Sequence, residues 1–258
     1  CKVTVLKGIE SKNGVKSKKD YTFAIKDSWD VPSIDFQTSG NIVPSKEGAT
    51  VLIKTRNIKG MYMQAINVYG KNMLQLLQYN RLGEAHNLDP VGEPVWEGSF
   101  QFEWRDDMKN RDVVRSLDIT ELVKKFPTGM FHLMIAFTKE DSMYRAKNPA
   151  EDFSHLPFPK GKFYKYYWLS DGDYWNEYAG QVSREGFWEQ RKNPSHPAFY
   201  MPYYNYNLAK GKDILVSNIA VMAKKDASGT VYARVCDIRS GKAVAGAKVQ
   251  TFTFAQRE

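Results

Sequence analysis

Over the last fifty residues, apolar side chains fall at every second position: Ile214, Val216, Val231, Ala233, Val235 and Val249 keep the two-residue period of strands with one buried face. The pattern predicts three strands, over 213–225, 229–238 and 241–252. Turn residues separate them. Asp226-Ala-Ser-Gly229 supplies a hairpin glycine able to take positive φ, Arg239-Ser-Gly-Lys242 closes a second tight connection, and Gly229, Gly241 and Gly246 are structural turn positions in a β context. Three strands do not close a sandwich, which takes on the order of 100 residues. Their partners are therefore expected earlier in the chain or beyond Glu258, with the sequence belonging to a longer parent.

The same period appears at the other end. Val3 and Val5, then Tyr21, Phe23 and Ile25, form two strand patterns around an Asn13-Gly14 turn, an antiparallel hairpin that needs another sheet to pack on. From Pro32 the alternation restarts with Ile34 and Phe36 and continues through strands at 49–55, 61–69, 95–104, 113–119 and 130–137. Two short stretches change period. Met73, Leu76 and Leu77 take helical spacing behind Asn72 as a plausible N-cap, and 118–129 reads as one helical turn ended by Pro127 and Gly129.

Between 139 and 208 the pattern gives way to Tyr, Trp, Phe, Pro and Asn, as in Phe163-Tyr-Lys-Tyr-Tyr-Trp168 and Phe199-Tyr-Met-Pro-Tyr-Tyr-Asn-Tyr206. Rigid, amphipathic rings in this density serve either as a binding platform, with Trp168, Trp175, Trp188, Tyr203 and Tyr204 as its candidate surface, or as anchors that pin a crossing segment onto its neighbours. The second reading is preferred, because loops longer than roughly 15 residues need either a function or their own packing.

Composition narrows the classes. The 258 residues suit two modest domains or one large one, and no apolar run approaches the ~18 residues of a membrane span. The net charge of +8 comes from lysines that are scattered, apart from Lys12, Lys16, Lys18 and Lys19 in one polar loop, and no nucleic-acid-binding motif accompanies them. Two cysteines make no disulfide framework: Cys236 reads as a small hydrophobe inside a strand. Cys1 has two readings, the lipid-attachment residue of a processed lipoprotein or a fragment boundary. The boundary is preferred, since strand alternation begins at once where an anchor would precede a polar tether.

Candidate chemistry is sparse. His86, His132, His155 and His196 are dispersed without zinc-ligand spacing, and His132, inside a strand, reads as a satisfied structural histidine. Asp171-Gly-Asp173 lacks the rest of a calcium loop and reads as a turn. Nucleophile-elbow, Walker and dinucleotide motifs are missing, so the expectation is no enzyme, no metal and no cofactor.

Several stretches carry a family resemblance. Ile214-Leu-Val-Ser-Asn-Ile-Ala-Val-Met-Ala-Lys-Lys225, the strand Val231–Ile238, and Ser240-Gly-Lys-Ala-Val-Ala-Gly-Ala-Lys-Val249 resemble a macroglobulin-like domain of the bacterial alpha-2-macroglobulin family. Ala243 stands where the family usually has Pro, and Asn218 where it has Asp. Leu117-Asp-Ile119 with the following helix, Pro-x-Gly and strand is similar to the closing half of a preceding domain of that family. So are Thr55-Arg-Asn57 and Asn72-Met-Leu-Gln-Leu-Leu-Gln78, while Asn193-Pro-Ser-His-Pro-Ala-Phe-Tyr200 is similar to the end of its connector.

The resemblance implies an all-β fold of immunoglobulin-like (macroglobulin) antiparallel β-sandwich modules, with one or two short helices and a long aromatic connector. The implied division is a closing hairpin of a preceding β domain at 1–30, a sandwich at 31–138, the connector at 139–209, and the incomplete start of a next domain at 210–258. It implies a non-catalytic scaffold of a protease-trapping, endopeptidase-inhibiting protein at the periplasm or cell surface. Expected partners are other macroglobulin-like domains of the parent and, through the parent, proteases; nucleic acid is not expected, and a membrane only through a lipid on Cys1. Neither Cys1-Lys-Val-Thr nor Cys236-Asp-Ile-Arg matches the family's Cys-x-Glu-Gln thioester, so covalent capture is not carried here. The alternative function is a surface module that grips a glycan or peptide with the aromatic stretch 163–206.

Overall fold

The computed structural model describes residues 2–24, 28–45, 48–74, 92–146, 153–156, 158, 187–201 and 208–250, with Phe187 and Trp188 described by their backbone. Twelve strands are present among them: β1 (Lys2–Val5), β2 (Tyr21–Ala24), β3 (Ser33–Phe36), β4 (Ile42–Val43), β5 (Thr50–Arg56), β6 (Gly60–Val68), β7 (Gly92–Gln101), β8 (Val113–Asp118), β9 (Gly129–Ala136), β10 (Ala209–Val216), β11 (Ile219–Lys225) and β12 (Val231–Asp237). Eight of them make two sheets, one of three strands in the order β3-β5-β8 and one of five in the order β4-β10-β9-β6-β7. The remaining four form two antiparallel hairpins, β1-β2 and β11-β12. All-β with very little helix is what the sequence predicts.

The two sheets enclose one core. Ile34, Val51, Ile53 and Leu117 from the small sheet meet Met61, Met63, Ala65, Phe131, Leu133, Ile135, Ile214 and Val216 from the large one, each nearly inaccessible to solvent. Burying each of these Val, Leu, Ile, Phe and Met side chains contributes about 1.5–3 kcal/mol. The two sheets differ outside the core. On β5 the exposed Thr50 and Leu52 alternate with buried Val51 and Ile53, whereas β6 and β9 are buried along nearly their whole length. The central strands of the large sheet are thus covered on both faces, which is why they read as near-continuous apolar runs.

The helix predicted within 118–129 spans Thr120–Lys125 and puts Leu122 and Val123 into the core. The Asp118 carboxylate accepts the Thr120 backbone N–H at 2.7 Å, in the manner of a cap. Hydrogen bonds from Thr120 hold the Asp118 carboxyl below the usual carboxylate range. Met73 and Leu74 begin a helical turn, and the rest of the helix expected after Asn72 lies outside the described residues.

The C-terminal pattern resolves differently from its prediction. The run 213–225 is two strands, not one, with a corner at Ser217-Asn218, where Ile219 N–H donates to Ser217 Oγ at 3.0 Å and the hydroxyl lies 3.3 Å from the Ile219 carbonyl. The first of them, β10, belongs to the preceding sandwich: it pairs with β9 over its full length, from Ala209↔Ala136 to Val216↔Gly129, and in parallel with β4. β10, expected at the start of the next domain (210–258), is thus hydrogen-bonded into the large sheet beside β9. Alternation looks the same whichever module a strand completes, so spacing alone could not place it. The expected third strand after Gly241 shows, as far as Gln250, only an isolated bridge between Ala243 and Cys236.

Gly229, Gly241 and Gly246 have φ of +91°, +68° and +69°, a region that side chains with a Cβ rarely enter. Cys236 is buried in β12 with a free thiol. The hairpins β1-β2 and β11-β12 leave large apolar side chains in solvent, among them Leu6, Tyr21 and Phe23 on the first and Val221, Met222, Val231 and Tyr232 on the second.

Candidate functional site

Three arrangements stand out: a polar pair on the covered face of the large sheet, the docked end of the connector, and the junctions at which the chain enters and leaves the sandwich.

His132 and Asp213 are directly opposed on β9 and β10. His132 Nδ1 lies 2.7 Å from Asp213 Oδ1, and each side chain is about 97% inaccessible, at 4% and 3% exposure. A carboxylate accepts, so Nδ1 carries the proton and donates. The imidazole lies against Gly211, where an added Cβ would come within 2.5 Å of Nε2, so glycine at 211 makes room for the ring. Gln64 is also buried on this face, among Ile66, Val68, Met130 and Met134. The satisfied structural histidine foreseen at 132 is thus a cross-strand pair; its partner Asp213 was not singled out in the sequence, because the residues are 81 positions apart.

The described end of the aromatic connector is packed, not presented. From Pro194 to Met201 every residue is buried. Phe199 and Tyr200 enter the main core, and Tyr200 stacks edge-on against Phe137 at 6.4 Å and Phe158 at 5.7 Å. Its hydroxyl donates to the Pro194 carbonyl at 3.0 Å, and burial pushes the phenol pKa well above its usual value. His196 Nδ1 accepts the Ala198 N–H at 3.1 Å, and its ring meets Phe153 edge-on at 4.8 Å. Burial lowers the His196 pKa, so the neutral ring is the favoured form. Trp168, Trp175, Tyr203 and Tyr204 lie outside the described residues, as does Cys1; Trp188 sits on a short helix, Phe187–Gln190.

At the entry junction, Asn57 in the β5–β6 connection and Asn110 in the β7–β8 connection both have positive φ, +52° and +59°. Asparagine tolerates this region better than other residues with a Cβ. Asn57 Nδ2 donates to Asn110 Oδ1 and to the Asp30 carbonyl, both at 2.9 Å, and Asn110 N–H returns a bond to Asn57 Oδ1 at 2.8 Å. Asn110 also receives the Asp30 N–H at 2.7 Å and gives its Nδ2 to the Ser28 carbonyl at 2.8 Å. Between these bonds Trp29 stacks on Trp104 at 6.1 Å, with the Lys109 ammonium 4.6 Å from the Trp29 ring centre.

At the exit junction two residues separate β10 from β11. Ser217 N–H donates to the Val43 carbonyl at 3.1 Å. Asn218 Oδ1 accepts the Ser45 N–H at 2.9 Å, and its carbonyl accepts the Ile238 N–H at 2.9 Å, so it touches both the sandwich and the following hairpin. Both connectors are thus held by side-chain and backbone hydrogen bonds.

Among the described residues no group of three or more His, Cys, Asp or Glu is placed to hold a metal ion, and no helix is long and apolar enough to cross a membrane. His155 approaches Phe153 at 6.5 Å, and His86 lies outside the described residues. The hydrogen bonds described for these groups run to one another or to backbone.

No family model matches the sequence, and no curated protein does. Solved structures do. Native alpha-2-macroglobulin from Escherichia coli spanning domains MG0-NIE-MG1 superposes with a TM-score of 0.52 at 14% identity, over 94% of this chain and 57% of that one. A structure of the same protein spanning NIE-MG1 gives 0.45 at 14% identity, over 83% of this chain and 73% of that one. The chain shares the β-sandwich fold of these domains, and it spans a little over half the length of the MG0-NIE-MG1 structure.

Replacing His132 with Leu, which takes one donor from a buried carboxylate, is expected to cost about 3–5 kcal/mol in urea unfolding. His132→Leu combined with Asp213→Leu is expected to cost clearly less than the sum of the two single changes. Strict additivity would mean the pair is not coupled. For His196 the folded pKa is depressed, so its contribution is complete above the ordinary value of 6.5 and is lost as pH falls from there through the lower folded pKa. Unfolding midpoints should decline over that acid range more steeply in the native chain than in His196→Gln; parallel declines would remove His196 as the cause.

Proposed function

We propose that the chain is a non-catalytic scaffold portion of a bacterial alpha-2-macroglobulin-like protein that traps or inhibits proteases at the cell envelope. The observation that carries this reading is architectural: one sandwich is continued at each end by a hairpin whose apolar residues remain exposed. A two-stranded hairpin is marginal alone, so each is suited to complete a neighbouring module. Likeness to the E. coli protein over 94% of the chain supports the same reading. The partners are then further macroglobulin-like domains of the parent and, through it, proteases. The location is the periplasm or cell surface, with a lipid on Cys1 as the route of any membrane attachment.

In this reading the module's task is geometric. A protein that encloses a protease after being cut must move some modules while others keep their shape, and hydrogen-bonded connectors suit the second role. Incubating the parent with several endoproteases and following its radius of gyration by small-angle X-ray scattering is expected to show compaction that depends on cleavage. A parent that is cut and keeps its dimensions would argue against a trap.

A further inference from the structure

The two positive-φ asparagines do more than satisfy their own backbone. Each forms part of a loop of the sandwich, on the β5–β6 and β7–β8 connections, yet their amides converge on Ser28 and Asp30, which precede the sandwich's first strand. All four amide hydrogens and both amide oxygens are accounted for except one from Asn110: the Asn57 Nδ2 pair is fully donated, Asn110 Nδ2 gives one, and each Oδ1 accepts. The Asn57 carbonyl receives the Met143 N–H at 2.9 Å, which ties the same node to the chain beyond β9. Asn57 is 1% exposed, so its bonds are shielded from competing water.

We propose that Asn57 and Asn110 are a latch that clamps the linker 28–30 to the sandwich and makes the N-terminal hairpin move with it as one body. Only residues 25–27 separate the clamped linker from Ala24, the last residue of β2. Trp29, held between Trp104 and Lys109, adds a second grip on the same three residues. The Arg56 guanidinium adds little: it is 3.9 Å from Asp30 but 2.7 Å from Asp112, and these side chains are a third to a half exposed. Amide geometry, not charge, therefore sets the latch, which should be insensitive to salt. The latch concerns the linker alone and stands or falls independently of protease trapping.

Two substitutions separate the amide from the backbone. Asn110→Gly keeps the left-handed conformation and the backbone bond from its N–H to Asn57 Oδ1, while removing the side-chain bonds to the Ser28 carbonyl, the Asp30 N–H and Asn57 Nδ2. Asn110→Asp keeps the acceptor for the Asp30 N–H, removes the donor to Ser28 and sets a carboxylate oxygen against the Ser28 carbonyl. Backbone nitrogen-15 relaxation and amide hydrogen exchange on the full chain read the result. In the native chain the hairpin residues Lys2–Ala24 are expected to show the rotational correlation time of the sandwich. In Asn110→Gly that time should shorten for the hairpin alone, with exchange at the Asp30 amide faster by about tenfold, and Asn110→Asp should fall between. A hairpin that already tumbles on its own in the native chain overturns the latch, whether or not a variant folds. So does a hairpin that stays coupled in Asn110→Gly.

Discussion

The pairing of β10 with β9 is the contact on which the rest of the structure depends. β9 is an inner strand of the large sheet, and its free edge is covered only when β10 arrives after an excursion of more than seventy residues. Eight consecutive register pairs then bring Ile214 and Val216 into the core and set Asp213 against His132. A slip of one residue would turn Ile214 outward and carry a carboxylate into the core, so the buried pair and the apolar face specify the same register. Closing a loop of this length costs entropy only logarithmically, which lets a long insertion between adjacent strands be tolerated.

That pairing also explains how the modules are joined. Because β10 ends at Val216 and β11 starts at Ile219, whatever holds β10 in the sheet holds the following hairpin's first residue close to it. Val43, paired in parallel with Val216, and Ser45, bonded to Asn218, close the corner from the other side. The entry junction is held by different means, with asparagine amides in place of a continuing strand. The chain is thus bonded to the sandwich at both junctions, in one case through a shared sheet and in the other through side chains.

Much of the fold was legible in the sequence where a strand has one wet face. Val51 and Ile53 alternate with Thr50 and Leu52, and the strand appears as predicted. The β6 and β9 runs were equally visible as strands, because continuous burial leaves continuous apolar residues. The sheet to which β10 belongs was not legible: strand membership is a matter of partners, and the partner of Ala209 is Ala136. The sites were less legible still. His132 could be recognised as structural from its strand, but Asp213 could not be matched to it, nor Asn57 to Asn110, because hydrogen bonds between residues 81 and 53 positions apart leave no local pattern. The one local clue was Asn at both positions, a residue type that accepts positive φ.

If the sandwich is complete only with β10, fragments of the chain will show it. Residues 28–216 are expected to unfold in a single cooperative transition in urea, followed by both tryptophan fluorescence and far-ultraviolet circular dichroism. Residues 28–208, which lack β10, should give no cooperative transition. If 28–208 unfolds as cooperatively as 28–216 and at the same midpoint, β10 is an accessory strand and the sandwich does not depend on it.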